Sequence, residues 1–133
     1  MQTRDQEYAS SAYVKVTKLK AEKKVKEQYA PYGAMAHRLP ILIRTAGLVQ
    51  ALEFVGSRGK PVQQNLLTDL ADTLGKSGSK ALLEQARNAE LSEYMRLTQQ
   101  TLSALLWYKR FAQSVLDIDA SEATENKENE GEQ

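Results

Sequence analysis

The chain has no cysteine, which removes disulfides and thiolate metal sites and favours a reducing, cytosolic setting. Its single histidine, His37, leaves a transition-metal site or a nucleophile–histidine pair without a second partner, so we read it as a structural or surface residue. Residues 1–7 contain no apolar segment, and no secretory leader is expected. Long apolar runs are missing as well. The most hydrophobic stretch, residues 39–55, is interrupted by Arg44, Gln50 and Glu53, whereas a bilayer span needs about 20 apolar residues in a row. Strict alternation is nowhere sustained, which argues against a sheet.

What is present is helical spacing in a chain of 133 residues, long enough for one domain with a real core. A first helix is predicted over about 6–29, with Tyr8, Ala12, Val16 and Leu19 on its packed face. Residues 30–33, containing Pro31 and Gly33, read as a break, and residues 33–39 as a short helical turn. A central helix over 40–55 then opens on Pro40, ends before Gly56 and is apolar nearly all round, as a helix covered on most sides must be. Residues 56–61 form a loop. Pro61 opens a third helix that buries Val62, Leu66, Leu67, Leu70, Ala71 and Leu74 and stops at Gly75. Ser79 is the expected N-cap of a fourth helix reaching about residue 89, and Ser92 that of a long last helix reaching about 116. On this last helix Tyr94, Leu97, Thr98, Thr101, Leu102, Leu105, Tyr108, Ala112, Val115 and Leu116 share the packed face, while Trp107 falls opposite, among Arg96, Ser103, Arg110 and Ser114. The fold expected is all-α: a compact bundle of five main helices plus a short helical turn over residues 1–116. The acidic segment 117–133 has too little apolar surface to offset its ordering entropy and is expected to be flexible.

The net charge of +1 conceals an asymmetry. Residues 117–133 hold seven acids and Lys127, a net of −6, and the rest of the chain carries +7. Six lysines crowd into residues 15–26, either as a solvated helix face or as a surface for a polyanion. Residues 56–60, Gly-Ser-Arg-Gly-Lys, lack the spacing and the preceding strand of a phosphate loop. Asp69 and Asp72 read as solvated carboxylates on a helix face rather than an acid–base dyad. Residues 62–89 would bend into a helix-turn-helix, but offer only Lys80, Arg87 and Asn88 to DNA. Trp107 beside arginines is either a partner contact, since Trp and Arg anchor interfaces, or is covered by another helix.

Two segments together resemble a family. Tyr32-Gly33 through His37-Arg38-Leu39-Pro40 is followed by residues 43–54, Ile-Arg-Thr-Ala-Gly-Leu-Val-Gln-Ala-Leu-Glu-Phe; Tyr94-Met95-Arg96-Leu97-Thr98 is followed by residues 107–112, Trp-Tyr-Lys-Arg-Phe-Ala. In this order and at this separation they resemble the small, all-helical subunit of the Cmr complex, the type III-B CRISPR RNA-silencing effector, over about residues 6–116. The resemblance implies a non-catalytic subunit in antiviral defence, several copies of which stack along the filament of guide RNA and paired target RNA; from the residues themselves a cytoplasmic setting with no cofactor and no metal is expected. Its implied partners are the other Cmr subunits, further copies of itself, and the guide and target RNA, contacted through the backbone. Candidate RNA or partner contacts are Lys15, Lys18, Lys23, Lys24, Lys26, Arg38, Arg44, Trp107 and Arg110, of which the last four lie inside the resembling segments. A helical adaptor that binds only proteins and a DNA-binding regulator are the alternatives.

Overall fold

The first helix starts at a reciprocal cap. The Thr3 hydroxyl accepts from the Gln6 N–H at 3.1 Å and the Gln6 side chain accepts from the Thr3 N–H at 2.8 Å, which satisfies two of the donors that a helix start leaves orphaned. From there α1 (Arg4–Glu22) buries Tyr8, Ala12, Val16 and Leu19, the stripe expected of it. It ends at Glu22 rather than near residue 29. The next place on the stripe belongs to Lys23, so further helix along this axis would gain no apolar burial.

The computed structural model describes residues 1–121, and among these the chain is all-helical. After α1 come α2 (Lys26–Ala46), α3 (Leu48–Arg58), α4 (Pro61–Thr73), α5 (Ser79–Asn88) and α6 (Leu91–Ser114). The division into helices differs from the expected one at three further places. The predicted break at residues 30–33 lies inside α2, which runs through both Pro31 and Pro40. Each proline removes one helical hydrogen bond, but Tyr29, Tyr32 and every residue from Gly33 to His37 are buried, and this burial outweighs the loss. The predicted central helix is instead two, divided at Gly47. That residue has φ +91°, a conformation costly to any residue with a Cβ. The third difference is Gly56, which lies within α3 instead of ending it. At two other helix starts the caps are shifted, for Gly78 precedes α5 and Glu90 precedes α6, so Ser79 and Ser92 sit inside their helices.

Helix α6 buries Leu97, Thr101, Ala104, Leu105, Tyr108 and Ala112 and packs mainly on α1 and α2. It runs parallel to α1, since Trp107 meets Asp5 at one end and Val115 meets Lys20 at the other. It runs antiparallel to α2: Tyr94, near its start, reaches the N–H of Val49 just past the end of α2, and Ile118, just beyond its end, rests on Gly33. Helix α4 touches α1, α2, α3, α5 and α6 and closes the other side of the core.

The packed body continues past residue 116. Ile118 is fully buried, with its N–H donating to Ala112 O at 2.9 Å and Asp117 turning the chain at φ 57°. A Cβ on Gly33 would stand 2.7 Å from Ile118 Cδ1, so α2 needs glycine there. His37 Nε2 lies 2.8 Å from Ile118 O. A carbonyl only accepts, so this nitrogen carries the hydrogen, and the buried Nδ1 has no hydrogen-bond partner among the described residues. Lys20 donates to Val115 O at 2.9 Å, placing a cation at the negative end of α6. His37 is thus structural: it fastens the root of the acidic segment. Residues 122–133, where most of the expected flexible tail falls, lie outside the described residues.

Candidate partner and nucleic-acid interface

The lysines expected to face RNA separate into groups that do different things. Lys15 is held on α4, its ammonium 2.7 Å from Asp72 Oδ2, and that hydrogen bond raises its pKa. Lys18 stands 3.9 Å from Glu22 one turn on, a solvent-exposed pair worth little.

Beside Lys15 lies a polar seam that the sequence reading missed, since Asp69 is half-buried rather than solvated. The Tyr32 hydroxyl donates to Asp69 Oδ2 at 2.7 Å, and the Tyr108 hydroxyl donates to Asp69 O at 3.1 Å. Tyr108 has then spent its proton, so Thr73 donates to it at 2.6 Å and Ser11 donates to Thr73 at 2.7 Å. Burial pushes the Asp69 carboxyl above its ordinary range, opposed by the Tyr32 hydrogen bond; burial likewise pushes the Tyr32 and Tyr108 hydroxyls up. A raised carboxyl among tyrosines has the ingredients of proton transfer. Here, however, these donors and acceptors are spent on one another, fastening α1, α2, α4 and α6 together. The open groove alongside, about 180 Å³, is lined by Lys15 and Lys18 but equally by Glu22 and Asp69. Its charges balance, which makes it a poor track for a polyanion.

The α1–α2 corner is different. Lys23 caps α1 through its own N–H to Leu19 O at 2.9 Å, Lys24 is exposed, and Lys26 is the first residue of α2. A helix N-terminus favours anions, so Lys26 adds positive charge where the backbone already supplies it. Lys20 completes the corner from the preceding turn. Arg38 is half-buried next to His37, and Arg44 is exposed in the last turn of α2. Lys26 and Arg44 are five helical turns apart, roughly 27 Å, so the basic residues mark a rim and do not form a single patch.

Trp107 and Arg110 come together in a seam between α6 and α1. The Trp107 indole donates to Asp5 Oδ1 at 2.9 Å and stacks on Phe111 with ring centroids 5.9 Å apart. The Arg110 guanidinium lies 5.6 Å over the indole, and Tyr13 meets Phe111 edge-on at 5.3 Å. Trp107 is therefore half-covered by α1, while Arg110 stays exposed. A second surface feature went unnoticed in the sequence. Leu91, Met95 and Leu106 are 74%, 56% and 43% exposed, and helical spacing places them on one side of α6 with half-buried Leu102 between. The signal is in the spacing, for all three fall outside the packed face expected of this helix.

No described helix is long and apolar enough to cross a membrane. The family model of a CRISPR-associated protein, Cas_Cmr5, matches residues 4–115. A relative from Thermus thermophilus, the CRISPR system Cmr subunit Cmr5, is 47% identical over 117 residues, covering 88% of this chain and 99% of the relative. The fold also matches the crystal structure of a CRISPR-associated Cmr5 family protein from the same species, with a TM-score of 0.78, 46% identity, and coverage of 86% of this chain and 98% of that one. Agreement of sequence and fold over nearly the whole length of these relatives decides the family: the chain belongs to the Cmr5 family of CRISPR-associated proteins.

Proposed function

We propose that the protein is a non-catalytic small subunit of a type III-B Cmr complex, stacked in several copies along the filament of guide and target RNA and serving antiviral defence. The observation that carries this reading is the match to a Cmr subunit along 99% of that relative's length at 47% identity. Two surface features support it. The apolar stripe Leu91, Met95, Leu106 on α6 suits protein contacts, since contiguous exposed apolar surface marks an interaction site. The basic rim suits a phosphate backbone, which lysine and arginine hold without reading sequence, as a guide of variable sequence requires. Each phosphate neutralised adds roughly 0.7–0.9 to the slope of log affinity against log salt. One copy making a few such contacts binds weakly, and stacked copies gain through effective concentration.

Of the nine residues expected to make contacts, Lys23, Lys24, Lys26, Arg38 and Arg44 fit RNA best, because Lys15 and Lys18 face a charge-balanced groove. Trp107 and Arg110 fit a protein partner. Affinity purification of the tagged chain from cells expressing a complete Cmr complex tests the reading. Sister subunits and guide RNA are expected to accompany it, and recovery of the chain alone refutes it.

A further inference from the structure

We propose that the groove between α2 and α6 receives an acidic amphipathic helix of a partner protein; this rests on the protein-contact reading of the α6 stripe. On α6, Leu91, Met95, Leu102 and Leu106 fall within about 60° of one another around the axis, and Lys109 continues the line. Trp107 and Phe111 mark the border of this helix that meets α1, so the stripe lies along the other border, toward α2. On α2 the row that faces α6 is fixed by Gly33, which meets Ile118, and by His37, which holds the Ile118 carbonyl. Ile41 stands one turn further along that row, 60% exposed, and Arg44 follows a turn later, exposed as well. The two helices are pinned at Gly33 with Ile118 and at Val49 with Tyr94. Ile41 is midway between the first of each pair and Leu106 midway between the second, so the antiparallel arrangement sets these two exposed side chains level.

The charge of the groove selects its occupant. No aspartate or glutamate occurs between Glu27 and Glu53 or between Glu93 and Asp117, so beyond Leu91 the two walls carry no acid. Arg44 and Lys109 border the groove and make no ion pair among the described residues. An apolar floor with cationic borders attracts apolar side chains flanked by carboxylates. The floor has no hydrogen bonds to offer a backbone laid on it, so the occupant must satisfy its own, as a helix does. From Leu91 to Lys109 the groove runs roughly 27 Å, the length of a helix of about 18 residues. A second copy does not fit, because pairing two such grooves brings cations together with no acid to answer them. Nucleic acid does not fit either, since bases stack on aromatic rings and no residue of the stripe is aromatic.

The chain has no cysteine, so Met95→Cys gives the full-length protein a single attachment point in the groove for a benzophenone photocrosslinker. In a purified Cmr complex containing this variant, the crosslinked segment is expected to be a helix of a sister subunit, with aliphatic residues at three- and four-residue spacing and more acids than bases. Crosslinks to a basic segment, to RNA or to another copy of the chain overturn the proposal. The free full-length chain supplies a second arm. A fluorescent peptide of about 18 residues, with leucines along one helical face and glutamates elsewhere, is expected to bind, and its counterpart with lysines in place of the glutamates to bind at least about tenfold more weakly. Leu106→Gln is expected to weaken binding of the acidic peptide. Arg44→Glu combined with Lys109→Glu is expected to reverse the preference, because two attractive pairs become repulsive. No binding of either peptide, equal affinity for both, or an unchanged preference in the charge-reversed chain overturns the proposal. Should the chain enter no complex, the reading as a Cmr subunit fails, and the peptides still decide the groove.

Discussion

Ile118 and Gly33 show how a single contact is decided by shape. Truncating a fully buried isoleucine costs about 2–4 kcal/mol through lost transfer and the cavity left behind, and Ile118→Ala is expected to fall in this range. A methyl group at position 33 would overlap Ile118, so Gly33→Ala is expected to cost about 1–3 kcal/mol as overpacking. The two effects oppose each other. The double variant should therefore be more stable than the sum of the single losses by at least about 0.5 kcal/mol, as read in urea unfolding; strict additivity would show that the two residues do not share this space. Asp69 supplies a pH prediction. Burial raises its folded pKa, so the folded state holds the proton more firmly than the unfolded chain. Its contribution is fully present below the unfolded value of about 3.9 and is lost as pH rises through the higher folded value. Asp69→Asn keeps an acceptor for the Tyr32 hydroxyl and does not titrate. Wild type should thus lose ground to this variant as pH rises from about 3 to about 7, measured by thermal melts, whereas a gap constant across that range would place the carboxyl in solvent.

Among the elements, the junction of α2 and α3 depends on Gly47. At φ +91° an alanine is strained, and Gly47→Ala is expected to destabilise by about 1–2 kcal/mol, seen as a lower urea midpoint at unchanged slope. Residues 40–55 look apolar in every direction partly because two helices with separate axes bury separate faces, Pro40 and Ile43 on α2 and Leu48, Ala51, Leu52 and Val55 on α3. The other part is that Ile41 and Phe54, expected to be covered, stay exposed. The helices with one clear stripe, α1, α4 and α6, were legible from spacing. Those whose limits rest on tertiary contact were not. Pro31 and Pro40 are breakers by local rules, and only the burial of residues 32–37 overrides them. Likewise Trp107 reads as an outward residue from its angle on α6, and only the packing of α1 alongside supplies its partner, Asp5.

As a whole molecule, the protein presents an apolar stripe on α6 and a basic rim around α2, and these should fail separately. Leu91→Asp combined with Met95→Asp alters only exposed side chains, so the free protein should change by no more than about 1 kcal/mol. Recovery of sister subunits should nevertheless drop at least about tenfold, equivalent to losing about 1.4 kcal/mol of contact. Normal recovery would move the protein contact to another face, with the Trp107–Arg110 seam next in line. The sequence by itself determined the all-helical class, the packed stripes, the separation of basic body from acidic end and the family, because side-chain spacing and charge are properties of the chain. Where the helices break, which lysines are already engaged, and that Ile118 belongs to the core were decided only by tertiary structure. Each of these depends on what a residue meets from a distant element, and no local pattern encodes that.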